Sequence, residues 1–103
     1  MPDLGSAAQD LARIQGQLGQ QASELEDLQK EQTDAQAEEK RAYQKMQNND
    51  SEENRENWRS AADDAREAQR KVSQKLIQLG ATIQAFNEAY VAFMNAIYQL
   101  AIR

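Results

Sequence analysis

The sequence predicts an all-α protein, a long antiparallel two-helix hairpin (coiled coil) that assembles into a helical bundle or filament. Gln, Ala and Glu dominate its 103 residues, with 6% aromatic residues and a single proline at position 2. Such a composition favours long helices over sheets. One polar stretch interrupts the chain at residues 47–54, QNNDSEEN. Apolar residues recur every seven positions on both sides of it, which is typical of packed helices.

The length suits a single helical-hairpin domain, residues 1–103. We expect one helix over about 4–47, a turn over about 48–51 and a second helix over about 52–102. Asn, Asp and Ser side chains compete for backbone hydrogen bonds, so the run of them near position 50 favours a turn.

The helix ends carry their own patterns. Asp3 or Ser6 would be a suitable N-cap for the first helix. Asp50, followed three residues later by Glu53, resembles a capping box at the start of the second helix. Asn48 or Asn49 is expected to end the first helix in a left-handed conformation.

Heptad lines predict the seam of the hairpin. In the second helix one line begins at Trp58, and a companion line begins four residues later at Ala62. Antiparallel folding with paired numbers that sum to 104 brings these lines onto those of the first helix, with Met46 and Trp58 at the hairpin tip. The predicted seam comprises Leu11, Ile14, Leu18, Leu25, Leu28, Leu76, Leu79, Ile83, Phe86, Tyr90, Phe93, Ile97 and Leu100.

Residues 76–102 offer more apolar surface than one seam can bury. A helix that is apolar on most sides must be covered on most sides, so we expect a second interface with other copies or with a partner. The predicted oligomer or partner interface comprises Ile77, Val91, Met94, Tyr98, Ala85, Ala89, Ala92 and Ala96.

The side chains that usually carry chemistry are missing. The chain contains neither Cys nor His, which excludes thiolate and imidazole catalysis and most zinc sites. Its acidic pairs lie mostly off the seam, and no nucleophile has a base at a suitable spacing. We therefore expect no enzyme, no cofactor and no metal.

Charge argues against nucleic acid as a partner. The formal net charge is −5, and the basic residues between 54 and 75 are interleaved with acids. Polar residues interrupt 76–102, so a buried bundle helix explains it better than a membrane span. The first ten residues lack the basic and apolar regions of a cleavable signal peptide.

The length, composition and C-terminal residues of the chain resemble those of a known protein family. The chain is about a hundred residues long, lacks Cys and has a polar turn followed by an apolar C-terminal helix; in these features it resembles type III secretion needle and filament subunits. The ending AIYQLAIR at 96–103 is similar to endings that some needle subunits carry. The turn lacks the needle subunits' proline-containing loop and the chain is longer than most of them, so a helical chaperone of the same apparatus is also compatible. The resemblance implies export without a cleaved signal, helical polymerisation and binding to small helical chaperones.

These observations predict a structural self-assembling subunit of a bacterial secretion or appendage system, secreted or at the cell surface. The alternative is a small helical chaperone or adaptor in the bacterial cytoplasm that binds a partner's amphipathic helix. A further alternative is a membrane-active protein resembling a translocator, with 76–102 inserting into lipid. The expected partner is therefore another copy or another helical protein.

Overall fold

In a computed structural model, which describes residues 3–102, the chain forms two helices, α1 (Leu4–Asn48) and α2 (Glu52–Ala101). They hold 45 and 50 residues, and no strand occurs among residues 3–102. The predicted all-α helical hairpin is confirmed. Residues 1, 2 and 103, which the predicted domain includes, lie outside the described residues.

Asp3 is the N-cap of α1. Its Oδ1 accepts a hydrogen bond of 2.7 Å from the backbone N–H of Ser6, and its carbonyl oxygen accepts one of 3.0 Å from Ala7. A carboxylate here also suits the partial positive charge of a helix N-terminus. Of the two candidates for this cap, Asp3 is the residue used and Ser6 supplies the donor.

Ser51, and not Asp50, is the N-cap of α2. Ser51 Oγ accepts a hydrogen bond of 3.1 Å from the backbone N–H of Asn54, the third residue of the helix. Asp50 instead pairs with the guanidinium of Arg55, at 2.9 Å. The capping-box prediction was therefore one residue early, because both Asp50 and Ser51 are good caps and only the turn geometry chooses between them.

The turn contains no left-handed residue. Among residues 3–102 no side-chain-bearing residue has a positive φ, so the left-handed cap expected at Asn48 or Asn49 is wrong. The backbone N–H of Asn49 still bonds to the carbonyl of Lys45 at 3.0 Å, which continues the helical pattern to the edge of the turn.

Contacts divide the described residues into two units. The charged unit, residues 24–75, contains the turn, and the apolar unit combines residues 3–23 with 76–102. The charged unit carries fourteen acidic and ten basic residues. The described part of the apolar unit carries three acidic residues and one basic residue. Charged residues are thus concentrated in one unit, and the other has few of them.

Three contacts define the pairing of the helices inside the charged unit. The rings of Tyr43 and Trp58 lie 5.4 Å apart, Glu31 pairs with Lys71 at 3.2 Å, and Glu24 pairs with Lys75 at 3.3 Å. As numbers rise in α1 they fall in α2, so the helices are antiparallel here. The paired numbers sum to 101, 102 and 99 and not to the predicted 104.

Candidate helix-packing surface

The seam of α1 follows the predicted heptad lines. Ile14 is buried, and the four seam leucines are half-buried. The intervening positions of α1 are exposed, so this helix offers one stripe to its partner. The half-buried leucines are Leu11, Leu18, Leu25 and Leu28.

In α2 one of the two predicted lines lies in the seam. Trp58, Leu79, Phe86 and Phe93 are half-buried, and the same line is fully buried at Ala65 and Val72. Leu100, which continues this line, is 52% exposed and does not belong to the seam.

The other predicted line of α2 is wrong beyond Ala62. It consists of residues that follow the Trp58 line by four positions, and these lie on the surface. The exposed seam candidates are Leu76, Ile83, Tyr90 and Ile97, with exposed fractions of 52%, 49%, 49% and 38%. The seam is therefore rotated about the axis of α2 relative to the prediction.

Alanines take the place of these large residues. The line three positions after Trp58 turns inward, with Ala68 buried and Ala61, Ala89 and Ala96 half-buried. Ala85 and Ala92, on a neighbouring line, are also half-buried. Ala85, Ala89, Ala92 and Ala96, which were expected in an interface with other chains, thus lie beside the hairpin's own seam.

The physical reason lies in side-chain size. Both a three-residue and a four-residue step along a helix reach the same face, so the heptad spacing alone allows either companion line. Small side chains let two helix backbones approach closely, whereas Leu, Ile and Tyr would hold them apart. With alanines inside, the larger apolar side chains remain on the outer surface.

We call the resulting exposed surface the outer face of α2. It consists of three adjacent heptad lines of the apolar unit, and Glu88 lies outside them. Ile77 and Tyr98 are its most exposed apolar members, at 75% and 65%. The outer face comprises Leu76, Ile83, Tyr90 and Ile97; Gly80, Asn87, Met94 and Ala101; and Ile77, Gln84, Val91 and Tyr98. The predicted interface residues Ile77, Val91, Met94 and Tyr98 therefore lie with four of the misplaced seam residues.

The middle line of the outer face contains a glycine inside a helix. Gly80 costs roughly 1 kcal/mol of helix stability relative to alanine. A Cβ added at Gly80 would meet nothing within 4 Å, so nothing in the chain's own packing requires a glycine there.

The tip of the hairpin is stabilised by an aromatic pair. Trp58 is half-buried, and its ring lies 5.4 Å from that of Tyr43 at an interplanar angle of 52°, a tilted geometry that aromatic rings favour. Met46, the predicted partner of Trp58, is half-buried. The sequence did not predict the contact between Tyr43 and Trp58, because Tyr43 lies off the heptad lines of α1. Whether a residue beside those lines reaches α2 depends on which residues of the two helices are paired.

The charged unit has an open acidic groove of about 460 Å³ between its helices. Its lining carries four carboxylates, two of which have cationic partners: Glu31 pairs with Lys71 and Glu38 with Arg41. Among residues 3–102 no group of three or more acidic residues is placed to hold a metal ion. The groove is lined by Glu31, Asp34, Ala35, Glu38, Asn57, Ser60, Ala61 and Asp64.

Ion pairs along the exposed sides of the helices have local effects. The hydrogen bond from Arg70 lowers the pKa of Glu67, and the same contact raises the pKa of Arg70. Both side chains lie in water, where such pairs contribute little to stability. They support α2 as neighbours three residues apart along the helix and do not form a reactive site.

Within residues 3–102, neither helix contains a stretch that is long and apolar enough to cross a membrane. Comparison with known proteins found no matching family model, and no curated protein or solved structure with significant similarity. The candidate site is therefore defined by its geometry: an uncharged, apolar helix face next to a seam built from alanines.

Proposed function

We propose that this chain is a structural subunit that self-associates through the outer face of α2. The observation that carries the proposal is the exposure of eight large apolar side chains on three adjacent lines of one helix. Contiguous apolar patches on soluble chains mark interaction sites far more often than surfaces left in water. The eight are Leu76, Ile77, Ile83, Tyr90, Val91, Met94, Ile97 and Tyr98.

The chain exposes enough surface to supply an interface. Its accessible surface is 7540 Å². A folded monomer of 11.7 kDa is expected to expose about 5,900 Å². The excess of about 1,600 Å² is twice the roughly 800 Å² that each partner buries in a standard interface.

Charge supports another copy as the occupant. An interface buries its core, and a buried charge without a partner is costly. The outer face contains no charged residue, so two copies of it can meet without repulsion or unpaired charge. A basic or acidic partner would gain nothing electrostatic from this surface.

We further propose that this self-association serves a bacterial protein secretion or appendage system, with the protein secreted or at the cell surface. The support is the resemblance to type III secretion needle and filament subunits, in which packing of the C-terminal helix builds the assembly. In this proposal the uncharged outer face of the apolar unit makes the subunit contacts and the charged unit stays solvated.

A second candidate is a cytoplasmic helical chaperone or adaptor. The observation that favours it is the width of the outer face, since three heptad lines are what an amphipathic helix of another protein needs as a docking surface. The two candidates differ in how size depends on concentration. A filament subunit grows beyond a dimer as the concentration rises, whereas a chaperone stays at a small fixed size.

Sedimentation velocity over a wide concentration range tests the proposal, with Val91→Asp as the disrupting variant. Val91 is 56% exposed, so the substitution leaves the hairpin's own packing intact but places a charge in the interface. The control is Gln20→Asp, on the exposed side of α1 in the same unit. We expect the wild type and the control to exceed 11.7 kDa increasingly with concentration, and Val91→Asp to remain at 11.7 kDa with unchanged helicity. Equal association of Val91→Asp and wild type would contradict the proposal.

A further inference from the structure

We infer that two copies meet through the outer face of α2 in an antiparallel, two-fold symmetric contact with Asn87 on the symmetry axis. This inference rests on the proposed self-association and adds its geometry. The argument is the match of the face with its own reversed copy.

The middle line supplies the first match. In an antiparallel two-fold contact, paired residue numbers have a constant sum, and the residue at half that sum meets itself. With a sum of 174, Asn87 faces Asn87 of the second copy, and Met94 lies over Gly80. A long flexible side chain then fills the open space above the one residue of that line without a side chain. The contact thus explains the glycine at position 80, which leaves space for Met94 of the second copy.

The two flanking lines match as well. The two-fold axis lies in the contact plane, so each flank meets the same flank of the other copy. On one side Leu76 then pairs with Ile97 and Ile83 with Tyr90. On the other side Ile77 pairs with Tyr98 and Gln84 with Val91. The numbers of these flanking pairs sum to 173 on the first side and 175 on the second, so the partners lie within one residue of the same height along the helix. Three of these four flanking pairs therefore join two large apolar residues.

The asparagine on the middle line fits this arrangement. Two Asn87 side chains on the axis can each donate an amide N–H to the other's carbonyl oxygen, so neither is buried without a partner. A single buried asparagine pair is a recognised means of fixing helix register. A shift of one heptad would place Asn87 against Met94 in one direction or Gly80 in the other, and would leave the amide without a partner in that line, which disfavours both registers.

A parallel contact lacks these advantages. Every residue would then lie beside its own copy, so Gly80 would meet Gly80 and Met94 would meet Met94. The central line would contain a gap at one level and crowding at another. The parallel alignment would also bring residues 52–75 of the two α2 helices together, although they carry the same charges.

An isologous contact closes on itself, so this geometry makes a dimer, and a larger assembly would add dimers through another surface. Because the chain contains no Cys, single cysteines report the geometry without interference. We would introduce Asn87→Cys, Ile77→Cys and Tyr98→Cys separately, oxidise each mildly, and follow disulfide dimers on non-reducing gels. Sedimentation of the reduced variants would establish that each still associates.

We expect Asn87→Cys to cross-link with itself at least tenfold faster than either other variant alone. Ile77→Cys and Tyr98→Cys should cross-link only when mixed, and this mixture keeps the test independent of the substitution at Asn87. Rapid self-cross-linking of Ile77→Cys would show a parallel contact and overturn the inference. Association without any of these cross-links would overturn the geometry but leave self-association standing, whereas a monomer at every concentration would overturn both.

Gly80 provides a second variant. Gly80→Leu should weaken association at least tenfold, because the new side chain occupies the space that Met94 of the second copy needs. The control is Gly16→Leu, since Gly16 is also exposed, helical and open around its Cβ. Unchanged association of Gly80→Leu would contradict the placement of Met94 over Gly80.

Discussion

The side-chain amide of Asn54 donates a hydrogen bond of 2.7 Å to the carbonyl oxygen of Asn49, and so ties the first turn of α2 to the residue after α1. Asn54 is 7% exposed and is the one buried polar residue in the described part of the chain. Its backbone N–H is at the same time the donor to Ser51. The turn is thus closed by one residue that acts through both its side chain and its backbone.

Asn54→Ala should lower the free energy of unfolding by about 0.5 to 1.5 kcal/mol, because it removes the hydrogen bond to the carbonyl of Asn49. Urea unfolding followed by circular dichroism measures this change. The variants are made in the Val91→Asp background so that self-association does not contribute. Asn57→Ala, at an exposed position three residues later, should change stability by less than about 0.5 kcal/mol. Equal effects of the two substitutions would mean that the hydrogen bond does not stabilise the turn.

The rotated seam makes a prediction at two adjacent residues. Ala68 is 4% exposed and lies in the seam, whereas Gln69 belongs to the line expected from the sequence and is exposed. Ala68→Leu should destabilise the hairpin by about 1 to 3 kcal/mol through overpacking. Gln69→Leu should change stability by less than about 0.5 kcal/mol. The same unfolding experiment measures both, and stabilisation by Gln69→Leu with no effect of Ala68→Leu would restore the sequence-based seam.

How far the sequence predicts this fold is clear from the two helices. In α1 the apolar residues form one stripe, so the seam around Ile14 is predictable from spacing alone. In α2 the apolar residues cover most of the circumference between 76 and 102, so hydrophobicity cannot say which line turns inward. Ala61, Ala68, Ala89 and Ala96 share one heptad line, and this repetition of small residues was the pattern that could have identified the seam.

The end of each helix shows the same limit. The turn predicted at about 48–51 agrees with the structure, in which α1 ends at Asn48 and α2 begins at Glu52. It was predictable because Asn, Asp and Ser cluster there. The sequence could not choose between Asp50 and Ser51 as the cap, since both side chains can accept the same backbone hydrogen bond. The outer face could be predicted in part, through Ile77, Val91, Met94 and Tyr98.

The two ion pairs between the helices should contribute unequally to the stability of the hairpin. The side chain of Lys75 is 16% exposed in its pair with Glu24, whereas that of Lys71 is 43% exposed in its pair with Glu31. A double-mutant cycle with Glu24→Gln and Lys75→Met should give a coupling energy of about 0.5 to 1 kcal/mol, near the upper end for such pairs. The cycle with Glu31→Gln and Lys71→Met should give less, because water screens the more exposed pair more strongly. A larger coupling energy for Glu31 and Lys71 than for Glu24 and Lys75 would contradict this order.

The central claim is that other copies cover the outer face of α2, and hydroxyl-radical footprinting of the wild type at low and high protein concentration tests it most directly. Met94 and Tyr98 report the face, and Tyr43, which is 41% exposed in the other unit, is the internal control. We predict that Met94 and Tyr98 become several-fold less reactive relative to Tyr43 as the concentration rises. Equal reactivity of Met94 and Tyr98 at all concentrations would show that their face stays in water and would contradict the account.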